Sequence, residues 1–345
     1  MEMSFRWYGT EDPVKLEKIK QIPAMKGIVS AIYDLPPGET WPREKIRDVK
    51  AEIEQRGLVW NVVESVPVHE DIKMGKSTRD SWIEKYQETI RNLSREGVKT
   101  ICYNFMPVFD WTRSKLDAPL PDGSHSLMYD EDLIQQIDPL DGSLTLPGWD
   151  LSYQKDDLRV IMEEYKEISK EDLMENLIYF LERIIPVAEE EDVLMAIHPD
   201  DPPWDIFGLP RIITNEANVM TMLKRVNSRH NGITFCTGSY GADRKNDLIG
   251  MIEHMQDRIH FVHARNVRWT SEKSFQETSH SVHDGSLDMV GIMQKLIETG
   301  YEGPIRPDHG RMIWGEEGRP GYGLYDRALG AVYLNGIIDA VRERR

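Results

Sequence analysis

The 345-residue chain has only two cysteines, Cys102 and Cys236. One disulfide is the most they could form. The N-terminal stretch MEMSFRWYG lacks the basic and apolar regions of an export signal, so a reduced, cytoplasmic protein is expected. No apolar run is long enough to span a bilayer. Basic residues are scarce, with 42 Lys and Arg against 59 Asp and Glu and a net charge of −17. That balance argues against nucleic acid or an anionic membrane as a partner. It leaves room for a small acidic substrate, because arginines and a metal can reverse the field inside a pocket. Low-complexity tracts and close repeats are missing. No GxGxxG follows the first strand-like runs, so nothing points to a dinucleotide fold.

What is present is a recurring unit: a short β-branched or apolar run, a polar loop, then an amphipathic helix. The runs fall at 5–8, 27–33, 58–63, 98–104, 193–197, 233–235, 259–262 and 304–306. Helical spacing of apolar residues occupies 13–21, 42–56, 79–96, 169–190, 218–227, 247–255, 286–299 and 324–342. Ser169 and Asp172 form a capping-box pattern at the start of one of these helices. Eight alternations predict a (β/α)8 TIM barrel, read as a single domain over 1–345, with a doubly wound open sheet as the alternative. A long insertion follows the fourth strand, at about 105–169. It carries turn signals at Pro119, Pro121, Asp122-Gly123, Asp141-Gly142 and Pro147-Gly148. Phe109, Trp111, Tyr129, Trp149 and Tyr153 are interleaved with them. An insertion of this length reads as a lid or as a subunit contact through which a homodimer pairs. A plain surface excursion is the other reading.

The barrel reading places chemistry at the C-terminal ends of the strands. His198, Cys236, His263 and Asp308 each stand at the end of one of the last four runs, separated by 38, 27 and 45 residues. A βα unit takes about 30 residues, so the four belong to consecutive units and can converge. Imidazole, thiolate, imidazole and carboxylate suit a divalent transition metal, and softness alone admits zinc, ferrous iron, manganese or cobalt. Any one of them alone would read as an ordinary buried side chain. The last of these ends, GPIRPDHGR at 303–311, is the densest. His309 should point away from Asp308 by strand alternation and be free to move protons, with a role in orienting Asp308 as the alternative. Arg265 and Arg311 could clamp a substrate carboxylate. Asn104, Asp110 and Arg113, past the fourth strand, could bind hydroxyls. Tyr322, between Gly321 and Gly323, is a candidate acid or base, with Tyr325 as its rival. The other histidines, His280 and His283 among them, read as structural or surface.

RWYG at 6–9, WNVVESVPVHEDIK at 60–73, YNFMPVFDWTR at 103–113, IHPDDPP at 197–203, FCTGSYGA at 235–242, HFVHARNV at 260–267 and RPDHGR at 306–311 together resemble the mannonate dehydratase family. The resemblance runs along nearly the whole chain. It implies a barrel of the xylose-isomerase-like group. It implies dehydration of D-mannonate to 2-dehydro-3-deoxy-D-gluconate in hexuronate (glucuronate) breakdown, with Mn2+ or Fe2+. It further implies that His198, Cys236, His263 and Asp308 match the metal ligands, and that His309 and Tyr322 match the acid/base pair. The competing readings are a metal-dependent sugar isomerase or epimerase on the same barrel, a metal-dependent phosphodiesterase, and a non-catalytic sugar-acid binding protein.

Overall fold

The computed structural model describes residues 1–140 and 155–343. Eight strands close into a parallel barrel: Glu2–Arg6, Gly27–Ser30, Val59–Glu64, Thr100–Tyr103, Leu194–Ile197, Asn231–Cys236, Ile259–Ala264 and Pro304–Pro307. The last strand returns to the first, with Glu2 opposite Pro304 and Met3 opposite Ile305. Both faces of a barrel strand are covered, which is why these segments read as apolar runs without alternation. Asn231–Cys236 and Ile259–Ala264 are buried at every position. Inside the barrel Val29, Val62, Cys102, Ala196 and Phe261 fill a small layer of their own. Cys102 belongs to that packing, and Thr234 Oγ1 stands 3.2 Å from its sulfur. Both cysteines are free thiols.

The helices lie outside and turn their apolar stripes inward. In Lys170–Glu190 the buried stripe includes Leu173, Leu177, Phe180, Leu181 and Ile184, at helical spacing. Its start is the expected capping box, with Ser169 and Asp172 exchanging side-chain and backbone hydrogen bonds. Phe180 is fully buried and meets Tyr86 edge-on at 5.0 Å between centroids, with Tyr103 and Phe105 each at 6.0 Å. No described helix is long and apolar enough to cross a membrane.

The insertion holds structure that the sequence pattern did not announce. Lys115–Pro119 and His125–Tyr129 form a hairpin. It pairs antiparallel with a second hairpin, Val267–Ser271 and Ser274–Glu277, that follows the seventh barrel strand. These strands are short and polar, and their join sets Tyr129 opposite Phe275, a pairing across the chain that local periodicity does not carry. A further helix, Lys155–Tyr165, also lies within the insertion. The expected turns at Asp141-Gly142 and Pro147-Gly148, with Trp149 and Tyr153, lie outside the described residues.

Because Phe180 fills the contact between the helix Lys170–Glu190 and the fourth strand, Phe180→Ala should lower the unfolding free energy by about 3–5 kcal/mol. Urea denaturation followed by circular dichroism would measure it, and a loss under about 1 kcal/mol would contradict the packing.

Candidate active site and metal centre

Four strand ends bring the expected ligands to the barrel mouth. Cys236 closes the sixth strand, His263 is the next-to-last residue of the seventh, and His198 and Asp308 directly follow the fifth and eighth. His198 Nε2 lies 3.1 Å from His263 Nδ1, and one donor atom from each of His198, Cys236 and His263 lies within 4.8 Å of the others. Asp308 Oδ2 is 3.7 Å from Cys236 Sγ and 3.8 Å from His263 Nδ1. His198 Nδ1 donates to the Pro199 carbonyl at 2.7 Å, which leaves Nε2 to face the cluster.

The electrostatics favour a bound cation. Burial alone would raise the Cys236 thiol, but the Arg265 guanidinium and hydrogen bonds with His198 and His263 hold it well below its usual range. The thiolate also accepts from Ser239 N–H at 3.4 Å, at the start of the short helix Thr237–Ala242. Burial disfavours a charged His198, yet Cys236, Glu64 and Asp308 draw its pKa up to about 9. The lowered thiol and the two imidazoles make a donor set that fits a transition ion. The opposite edge of the His263 ring faces Glu64, with Nε2 3.3 Å from Oε2 and making no hydrogen bond. Glu64 is bound there by Arg306, and burial pushes the Cys102 thiol up, so that edge suits a cation poorly.

Beside the cluster runs a line of three groups. Glu277 Oε1 accepts from His309 Nδ1 at 2.7 Å, and His309 Nε2 meets the Tyr322 hydroxyl at 2.8 Å. The carboxylate fixes the proton on Nδ1, so Nε2 accepts from the phenol. Burial first, then Tyr8 and Asp308, raises the Tyr322 phenol well above its ordinary range, so it holds its proton at neutral pH. Tyr322 follows Gly321, whose φ of +78° a residue with a side chain rarely adopts, and buried Arg327 donates to the Tyr322 carbonyl at 2.6 Å. Tyr325 instead sits 42% exposed at the start of the last helix, with its ring against Trp314.

The residues expected to grip substrate have other partners. Arg113 makes a two-pronged pair with Asp201 at 2.8 and 2.9 Å and reaches Glu277 Oε1 at 2.6 Å. Arg265 bonds Asp201 at 2.6 Å and Glu277 at 2.9 Å, and its Nε is 2.8 Å from Asp308. Gly238 leaves the room this needs, since a side chain there would meet the Arg265 guanidinium carbon at 2.5 Å. Arg311 is taken by Asp326 and Asp122, each at 2.7 Å. Asn104 Oδ1 accepts from Met106 N–H at 3.2 Å, and Asp110 adjoins it. His309 does not turn wholly away from Asp308, since Nε2 stays 3.8 Å from Oδ1, but both its hydrogen bonds go elsewhere. Sequence reasoning passed over Glu277, Asp201 and Arg306. Asp201 and Arg306 stood inside two of the motifs, whereas Glu277 lies on an unrecognised strand and gave no signal.

A thiolate, imidazole and carboxylate cluster at the open mouth of a parallel barrel, flanked by an imidazole–phenol pair, has the make-up expected of a metal-dependent TIM-barrel enzyme. Comparison with known proteins narrows this. The family model D-mannonate dehydratase (UxuA) matches residues 1–345. Mannonate dehydratase 2 of Halalkalibacterium halodurans is 59% identical over 343 residues, covering 99% of both chains. Mannonate dehydratase of Streptococcus uberis is 57% identical with the same coverage. The crystal structure of mannonate dehydratase from Streptococcus suis serotype 2 is 50% identical, with a TM-score of 0.93 over 100% of this chain and 95% of that one. D-psicose 3-epimerase from Clostridium cellulolyticum superposes with a TM-score of 0.56 at 13% identity over 99% of each chain, a likeness of fold alone. The chain belongs to the D-mannonate dehydratase family, whose members are metal-dependent hydro-lyases.

Metal content tests the cluster. Cys236→Ala, stripped and reloaded with Mn2+ or Fe2+, should retain little metal by elemental analysis. Cys102→Ala, altered in the packed interior below, should retain it. Full loading of the Cys236 variant would remove Cys236 from the ligand set.

Proposed function

We propose that His309 and Tyr322 carry the proton transfers by which this chain dehydrates D-mannonate to 2-dehydro-3-deoxy-D-gluconate, in hexuronate breakdown. The observation that carries the reading is the Glu277–His309–Tyr322 line beside the ligand cluster. In this reading His198, Cys236, His263 and Asp308 hold Mn2+ or Fe2+. When bound, that ion supplies stabilisation of negative charge on the substrate carboxylate and C2 oxygen.

His309 Nε2 removes the C2 proton, and Tyr322 gives its phenolic proton to the C3 hydroxyl, which leaves as water. The proton on His309 then passes to the Tyr322 oxygen along their 2.8 Å hydrogen bond, and both groups are reset. The enol left behind tautomerises to the 2-keto acid. Glu277 keeps His309 Nδ1 protonated throughout, so that Nε2 is the basic nitrogen. Arg113 and Arg265 act through the carboxylates they hold, keeping Glu277 and Asp308 ionised and in place. Arg311 ties the loop that carries His309 to the last helix through Asp326. Asn104, just past the fourth strand, would bind a substrate hydroxyl in this reading. A sugar isomerase or epimerase would use a similar mouth, and product analysis separates the two, since only dehydration yields a 3-deoxy acid.

His309→Asn should lower kcat for D-mannonate by about 10²–10⁴-fold with metal content unchanged. Glu277→Gln should lower kcat with little change in KM. A His309 variant of full activity would sink the proton role, and a Glu277 variant altered in KM alone would sink the positioning role.

A further inference from the structure

The RWYG stretch is left without a part in the chemistry above. Its first residue, Arg6, ends the first barrel strand at the C-terminal mouth. The side chain is 9% exposed. Among the described residues its Nε and Nη1 are buried and donate no hydrogen bond. The nearest anion is Glu64, 3.5 Å from Nη1. Glu64 is already held by Arg306 through bonds of 2.9 and 3.1 Å. The rings of Tyr8 and Tyr33 stand 4.8 and 5.8 Å from the guanidinium carbon and fix its setting. Arg113, Arg306 and Arg311, by contrast, each donate two or more hydrogen bonds to protein carboxylates, as does Arg265. A buried guanidinium with unused donors is costly, and such groups are retained where a ligand completes them.

Its position says what that ligand is part of. On one side, Glu64 links Arg6 to His263 of the ligand cluster. On the other, Tyr8 packs edge-on against Tyr322 at 5.1 Å. Arg6 thus stands one residue from the cluster and one residue from the proposed acid. A substrate spanning the two passes within its reach.

We infer that Arg6 is the residue that binds the carboxylate of the sugar acid. The inference rests on the active site proposed above and adds to it the group that selects an acid over a neutral sugar. A planar fork with free donors matches a carboxylate, and the carboxylate is the one anionic group of an aldonate.

The test compares metal-loaded wild-type protein with Arg6→Met and Arg6→Lys. In the methionine variant KM for D-mannonate should rise at least ten-fold and kcat/KM should fall about 10²-fold. Manganese or iron content and thermal unfolding should match the wild type. Low-millimolar guanidinium chloride should restore part of the lost activity to this variant and none to the wild type. The lysine variant keeps charge and stem and should lie between the two, which keeps the test informative if methionine disturbs folding. Calorimetric titration of D-mannonate into metal-loaded His309→Asn protein, with and without Arg6→Met, should show ten-fold or greater weakening. Unchanged KM and Kd would overturn the assignment. So would loss of metal together with activity, since Arg6 would then act on the ligand cluster through Glu64. Failure of the wild type itself to make product would count against the reaction and leave the binding titration to judge Arg6.

Discussion

One carboxylate oxygen gathers much of the active site. Glu277 Oε1 accepts from Arg113 twice, from Arg265 and from His309, at 2.6 to 3.0 Å. Two of those donors also hold Asp201, and Arg265 reaches Asp308. The result is a buried lattice of alternating charge in which no member can be removed without stranding another. Breaking one side of such a pair typically costs about 3–5 kcal/mol, because the remaining charge is left in a poor solvent. Burial pushes the carboxyls of Asp201, Glu277 and Asp308 up, and the surrounding guanidiniums and His309 hold all three below their usual range. The lattice thereby fixes the charge state of the site and the direction in which His309 can accept a proton.

The same lattice joins the two sheets. Arg113 comes from the insertion after the fourth strand, Glu277 from the hairpin after the seventh, and Asp201 from the loop after the fifth. The four-stranded antiparallel sheet is therefore tied to the mouth and presents Glu277 to His309. Trp111, from the same insertion, lies 4.8 Å from the His309 ring and 6.2 Å from that of Tyr322. The insertion's described portion is thus part of the active-site wall. The metal-type ligands stand at the ends of the last four strands, and Arg6 ends the first, which pairs with the eighth. In the proposed reading, the carboxylate end of an open-chain acid meets Arg6 while its C3 hydroxyl meets the phenol.

The barrel was legible because each strand and helix announces itself locally. Apolar runs of strand length, turn residues and helical stripes recur, and the ligand types fall at matched strand ends. The hairpin pairing and the lattice were not legible. Arg113 and Glu277 are 164 residues apart, and nothing in the spacing of either names the other. The pairing of Arg265 and Arg311 was illegible for the same reason, since their partners Asp201, Glu277 and Asp326 carry no periodic signal. Tyr322 could be preferred over Tyr325 from its glycine neighbours, and the turn at Gly321 supplies the physical cause. Arg6 was visible as part of a motif, but its unused donors appear only once every other arginine at the mouth has been paired.

The central claim is that the thiolate–imidazole–carboxylate cluster at the mouth is the metal site that the reaction uses. X-ray absorption at the metal edge of stripped and reloaded protein tests it most directly. The account predicts one sulfur scatterer with nitrogen and oxygen neighbours, and loss of the sulfur signal in Cys236→Ala protein with any metal that remains. A metal surrounded only by nitrogen and oxygen in the fully active wild-type enzyme would contradict it.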